Sequence, residues 1–205
     1  MKTKIMFAVV LTTFFTTIIF AQSKTSFGIR AGVNFQNLNG KDAEGDKLEN
    51  KLKTGFNAGV NAEIPVGIDF YLQPGLLFST KGAKANAGDA TTNLSYVELP
   101  VNFIYKPELG TGRMVLGFGP YVGYALSGKY KNGAIESDIK FGDQLDELKR
   151  LDAGANLLAG YEFNNKLSFQ LNAGLGLLDI HNKPVGDNKS SIKNTGFGLS
   201  LGYRF

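Results

Sequence analysis

The chain has no cysteine and one histidine among its 205 residues. The first absence excludes disulfides, thiolate metal sites and cysteine nucleophiles. The second argues against a transition-metal site, which gathers several such ligands. No lysine/arginine cluster stands out and the formal charge is only +4, so the electrostatic footprint of a nucleic-acid-binding protein is missing. No phosphate-cradling loop is present either. The Gly-x-Gly pairs in "GFGP" and "GLGLL" fall inside alternating segments and suit close packing. Beyond the first 23 residues, no run is long and apolar enough for a membrane helix, which needs about 20 residues.

The opening "MKTKIMFAVVLTTFFTTIIFAQS" has two lysines, an apolar run from Ile5 to Phe20, and Ala21. That is the layout of a secretory signal peptide over 1–21. Its loss removes Lys2 and Lys4 and leaves a domain over 22–205 with charge +2. A mature chain that enters a membrane must then do so as strands.

What the chain does have is glycine, 26 residues of it, spread through segments of strict alternation. Period two predicts eight strands, near 26–36, 54–64, 68–79, 95–106, 113–127, 152–163, 167–178 and 195–205. Each exceeds or matches the roughly 9–11 residues a tilted strand needs to cross a bilayer. One face is bulky and uncharged, as in Phe27, Ile29, Ala31, Val33 and Phe35, or Leu167, Phe169, Leu171, Ala173, Leu175 and Leu177. The other is small and polar, as in Gly28, Arg30, Gly32 and Asn34, or Ser168, Gln170, Asn172, Gly174 and Gly176. Small polar groups fill a narrow interior and bulky apolar groups suit lipid. The expectation is an all-β fold: an eight-stranded antiparallel up-and-down transmembrane β-barrel.

The connections alternate in the same sense. Those at 65–67, 107–112 and 164–166 are short, and those at 37–53, 80–94, 128–151 and 179–194 are long. Outer-membrane barrels pair tight periplasmic turns with long outer loops in this way. Aromatics gather at two heights. Phe27, Phe70, Phe103, Tyr105, Tyr161, Phe163, Phe169, Tyr203 and Phe205 fall near the periplasmic end, and Phe35, Phe56, Phe78, Tyr124 and Phe197 near the outer end. Lipid-facing interfacial girdles have this form. Pro74, Pro100 and Pro120 lie inside strands, each without a ladder donor, so bulges or gaps are expected there.

The segments "YVELPV" (Tyr96–Val101), "GPYVGYALSGK" (Gly119–Lys129), "DAGANLLAGYEF" (Asp152–Phe163) and the terminal "GYRF" resemble the PorT-type outer-membrane β-barrel family of Bacteroidetes, small barrels of OmpA/OmpX-like kind. The resemblance implies an outer-membrane location in a Gram-negative bacterium. It brings no catalytic motif. It also implies that the terminal stripe of Thr195, Phe197, Leu199, Leu201, Tyr203 and Phe205 is the signal read by the outer-membrane assembly machinery. One member is tied to a secretion system.

Charges on the polar face suggest an ionic network in the lower lumen: Arg30, Glu63, Asp69, Lys106, Arg113, Glu162 and Arg204. Eight strands leave an interior just wide enough for side chains, so this network reads as a plug in preference to a path. His181 has Ser190, Ser191, Asp179 and Asp187 nearby in sequence, but they form no organised triad there. The acids at 42, 44 and 46 in "KDAEGDK" lack the closing glutamate of a calcium loop. "DQLDELKR" in the longest loop could make a helical turn, with Leu145 and Leu148 on one side. That loop and 37–53 are where a surface ligand would bind. No cofactor and no metal is expected. The functional expectation is a structural or adhesive, non-catalytic barrel, with secretion accessory, narrow channel and lipid-modifying enzyme as alternatives.

Overall fold

The computed structural model describes residues 24–86, 88–145, 147–182 and 189–205. The expected leader lies outside the described residues. The strands in chain order are β1 (Ser26–Lys41), β2 (Asn50–Lys51), β3 (Lys53–Gly67), β4 (Phe70–Ala85), β5 (Thr91–Tyr105), β6 (Glu108–Leu109), β7 (Gly112–Asn132), β8 (Ile135–Asp138), β9 (Leu151–Glu162), β10 (Leu167–Gly176) and β11 (Ser191–Arg204).

Eight long strands, β1, β3, β4, β5, β7, β9, β10 and β11, pair antiparallel in chain order. β11 then pairs with β1 from Gly28↔Arg204 to Lys41↔Ser191 and closes the barrel. Closure leaves no open edge in lipid, where an unpaired backbone group costs several kcal/mol. Gly32 makes the last seam possible, since a Cβ there would collide with the Leu199 carbonyl and Ser200.

Alternation sets the two surfaces. On β11, Phe197, Leu199 and Leu201 are exposed, while Asn194 and Ser200 are 1% and 2% exposed. Outward rings stack in the two expected tiers. Phe35 meets Phe197 at 5.3 Å and Phe56 meets Phe78 at 5.6 Å in the upper tier. Phe70 meets Tyr105 at 4.9 Å, and Tyr203 meets Phe205 at 5.4 Å, in the lower. The core is therefore the lumen, and it is mixed: Asn34, Asn57, Asn102 and Ser200 are buried there, and so is an apolar cluster of Ile104, Val115 and Leu158.

The three prolines produce one aligned defect. The β3–β4 ladder lacks the rows between Asn61↔Gly75 and Ile64↔Leu72. The β4–β5 ladder lacks those between Pro74↔Val101 and Leu77↔Glu98. The β5–β7 ladder lacks those between Pro100↔Tyr121 and Phe103↔Phe118. Each proline lacks the N–H that its strand would give to the preceding one, and the gaps run on from ladder to ladder.

Several boundaries differ from the alternation. The first short turn lies at Ile68–Asp69 rather than 65–67. β3 continues to Gly67 through an irregularity at Pro65/Gly67, which leaves Ile68 at the tip, 90% exposed. β4, β5 and β7 run well past the upper aromatic tier, so part of each expected loop is strand. β8 folds back on the end of β7. In "DQLDELKR" the Glu147 N–H donates to the Gln144 carbonyl at 3.1 Å, a single turn bond, while Leu148 bridges His181 and Leu145 stays exposed.

Candidate functional site

The lumen holds its charges at two levels. In the lower one, Glu63 from β3 accepts from Lys106 at 2.9 Å, Arg204 at 2.8 Å and Gln73 at 3.0 Å. Lys106 bridges onward to Glu162 of β9 at 2.8 Å. Arg204 also donates to Asn61 at 3.1 Å. Glu63, Lys106, Glu162 and Arg204 thus meet across the barrel from opposite strands. A buried ion pair persists only when geometry and extra hydrogen bonds offset its desolvation; Gln73 and Asn61 supply such bonds here, while the Nε and Nη1 of Arg204 have no hydrogen-bond partner among the described residues.

The other three residues of the expected network stand apart. Asp69 occupies the β3–β4 turn at φ 61°, where its backbone carbonyl takes the Lys106 N–H at 2.7 Å. Arg113 sits at the lower rim, donating to the Tyr71 hydroxyl at 3.0 Å, with Glu108 at 3.6 Å. Arg30 lies higher, and its one side-chain hydrogen bond among the described residues is to Asn172 at 3.4 Å.

A second cluster escapes the sequence reading. Lys81 of β4 reaches Glu98 of β5 at 2.5 Å and Asp152 of β9 at 2.9 Å. Tyr121 donates to Asp152 at 3.2 Å, and Asn194 donates to it at 3.0 Å. The Lys81 ammonium also lies 4.4 Å from the Tyr121 ring centre. Lys81 was hidden because the alternation places it in a loop. Its signal was there, since Gln73, Leu77, Ser79 and Lys81 follow one parity along β4.

Above this cluster the outer mouth is filled by apolar groups. Leu38, Ala83, Leu94, Tyr96, Ala125 and Ile180 are buried together, with Ile139, Phe141, Leu148 and Ile192 packed against them. Most of these groups come from the upper ends of β1, β4, β5, β7 and β11, and two long loops cap them with Ile139, Phe141, Leu148 and Ile180 and are stapled to each other. The Asn182 side chain donates to the carbonyls of Gly142, Gln144 and Glu147 at 2.8–3.1 Å, and Lys149 N–H donates to the Ile180 carbonyl at 2.8 Å. Three carbonyls on one amide leave little slack in the loop that carries Phe141 and Leu148.

Ser190 Oγ stands 3.0 Å from His181 Nδ1. Asp179 Oδ1 accepts the backbone N–H groups of His181 and Ile192 at 3.1 and 2.8 Å, so that oxygen orders the loop. Asp42 does the same for its own loop, accepting from Gly45 and Asp46. Among the described residues no group of His, Asp and Glu could hold a metal ion. At the exposed β7–β8 hairpin, hydrogen bonds from Lys129 and Lys131 hold the Glu136 carboxyl down to about 2.

The terminal stripe of Phe197, Leu199, Leu201, Tyr203 and Phe205 faces outward. The Phe205 N–H closes onto the Phe27 carbonyl at 2.8 Å.

Among solved structures, the chain is similar to Ail, the attachment invasion locus protein of Yersinia pestis, in complex with the heparin analogue sucrose octasulfate. The identity is 16%, the TM-score 0.46, and the match covers 89% of this chain and 100% of that one. It is similar to Neisserial surface protein A at 14% identity and TM-score 0.48, covering 89% and 98% of the two chains. A major outer membrane protein from Thermus thermophilus is similar at 18% identity and TM-score 0.47, covering 89% and 100%. No curated protein matches the chain. The family described as outer membrane protein beta-barrel domain matches residues 20–182, most of the length over which lipid-facing and lumen-facing residues alternate, and the chain belongs to that family.

Proposed function

We propose that this integral outer-membrane barrel is a non-catalytic, PorT-type surface-binding protein, whose spanning strands serve to hold a rigid outer head. The observation that carries this reading is the continuation of β4, β5 and β7 above the upper aromatic tier, together with the stapled loops over an apolar plug. Binding surfaces are commonly loops positioned by a rigid scaffold. A filled mouth also fits a binding role better than a conducting one. In the same reading, the terminal Phe197–Phe205 stripe serves as the assembly signal.

The test shortens the projecting hairpin by removing 131–136, beyond the plug and the lumen. Cells displaying the intact and the shortened barrel are compared for binding to immobilised polysaccharides and proteins. We expect a loss of about tenfold or more in binding, equivalent to about 1.4 kcal/mol, with the barrel still folded on a heat-modifiability gel. Equal binding by both would overturn the assignment of the head.

A further inference from the structure

We propose that the Lys81 amine and the Asp152 carboxyl condense with each other into an amide, a covalent tie from β4 to β9 across the lumen, with Glu98 as the proton relay. The two groups are already in contact, with Lys81 Nζ 2.9 Å from Asp152 Oδ2. Glu98 Oε1 stands 2.5 Å from the same nitrogen. All three are shielded from water, the Lys81, Asp152 and Glu98 side chains being 7%, 0% and 10% exposed. Asp152 Oδ2 gathers the donors, Lys81, Tyr121 at 3.2 Å and Asn194 at 3.0 Å, while the buried Oδ1 has no hydrogen-bond partner among the described residues. A buried carboxylate oxygen without a donor is costly. The lower cluster is the contrast within the same lumen. Lys106 also meets two carboxylates there, but Arg204 shares them and both Glu63 oxygens accept hydrogen bonds.

The step balances within the cluster. Glu98 takes one proton from the Lys81 ammonium. The freed amine, held in place by the fold, attacks Asp152 Cγ, and the Nζ–Cγ bond forms. The charge that develops on Oδ2 is met by the Tyr121 hydroxyl and the Asn194 amide, donors already in position. Oδ1, the oxygen without a partner, receives the proton held by Glu98 and a second one shed by the nitrogen. The Cγ–Oδ1 bond breaks, water leaves, and Oδ2 stays as the amide carbonyl. Glu98 ends as it began, a carboxylate, and no oxidant or further reactant takes part. The water has a place to go. A cavity of about 60 Å³ is lined by Lys81, Glu98, Tyr121 and Asn194, whose amide oxygen also lacks a donor, and one water needs roughly 15 Å³. Condensation replaces a buried cation and a buried anion by a neutral amide, and so removes their desolvation cost. It takes away one charge of each sign and leaves Glu98 with Arg30, which feels its charge. Only the closed barrel brings β4, β5 and β9 together, so the freshly folded barrel carries the cluster in its ionic form and the amide follows.

The test digests the barrel isolated from outer membranes with trypsin and weighs the fragments by mass spectrometry. The fragment holding Lys81 is expected to be joined to the one holding Asp152, lighter by one water than the two apart, with no cleavage after Lys81. In barrel refolded from urea into detergent, the joined pair is expected to appear with time, at a rate independent of protein concentration. It is expected to be absent from Lys81→Arg, which keeps the charge, and to form about a hundredfold or more slowly in Glu98→Gln, which keeps the shape but not the relay. Separate fragments at full mass from the membrane-isolated barrel overturn the proposal. So does a lost water that maps to a single fragment, the mark of an aspartate cyclised onto its own backbone. Joining at an equal rate in Glu98→Gln overturns the role of Glu98. Should either variant fail to fold, the fragments of the intact barrel decide alone.

Discussion

At the residue scale, the lumen is where single substitutions matter most. Lys81 pairs with two carboxylates at once and lies between two tyrosine rings. Removing it alone strands Glu98 and Asp152 in a site shielded from water. Breaking one partner out of a buried ionic group typically costs about 3–5 kcal/mol, whereas replacing the whole group can be nearly neutral. Lys81→Met is therefore expected to destabilise the barrel by that amount in urea titrations in detergent. The triple change Lys81→Met, Glu98→Gln, Asp152→Asn is expected to recover most of it. A single variant as stable as the parent would show that this cluster is solvated and contributes little. Outward residues behave differently: Leu171 or Val60 faces lipid in both the parent and a conservative variant, so such changes cost little.

At the element scale, the informative feature is the band of broken ladders beside Pro74, Pro100 and Pro120. Backbone groups without a strand partner open more easily than those inside a continuous ladder. The β1–β11 seam, by contrast, is paired without interruption over its length. Hydrogen exchange is expected to be faster in 73–76 and 99–102 than in 30–35 and 198–201, measured on the folded barrel in detergent. Equal protection in the two regions would mean that tertiary packing holds the proline band as firmly as hydrogen bonds would. The same band explains why prolines that look misplaced on a closed sheet are tolerated: they lie side by side, so their defects coincide instead of breaking the barrel at three separate heights.

At the scale of the whole molecule, the barrel is closed sideways by β1–β11, blocked below by Glu63, Lys106, Glu162 and Arg204, and filled above by the apolar plug. In planar lipid bilayers the intact protein is expected to give no steady conductance. A persistent open level would show that the plug leaves its seat under voltage. A closed barrel of this kind is also expected to migrate differently with and without boiling in mild detergent, because the closed sheet survives until heated.

The sequence by itself determined the barrel. Period-two alternation carries the face of every residue, loop lengths carry the sidedness, and aromatic heights carry the membrane boundaries, because lipid imposes these on local pattern alone. It also placed Glu63, Lys106, Glu162 and Arg204 at one level, since strand direction and parity are local properties. Only the tertiary structure decided which charges touch. Asp69 and Arg113 share that level but end at the rim, because a tight turn and the barrel edge aim them away from the lumen. Lys81, Glu98 and Asp152 come from three strands whose relative stagger is fixed by closure, and no count along one strand contains it. The plug is likewise a meeting of residues distant in sequence, the upper lumen faces of several strands with two loops laid over them, made when the ring closes and brings them to one mouth.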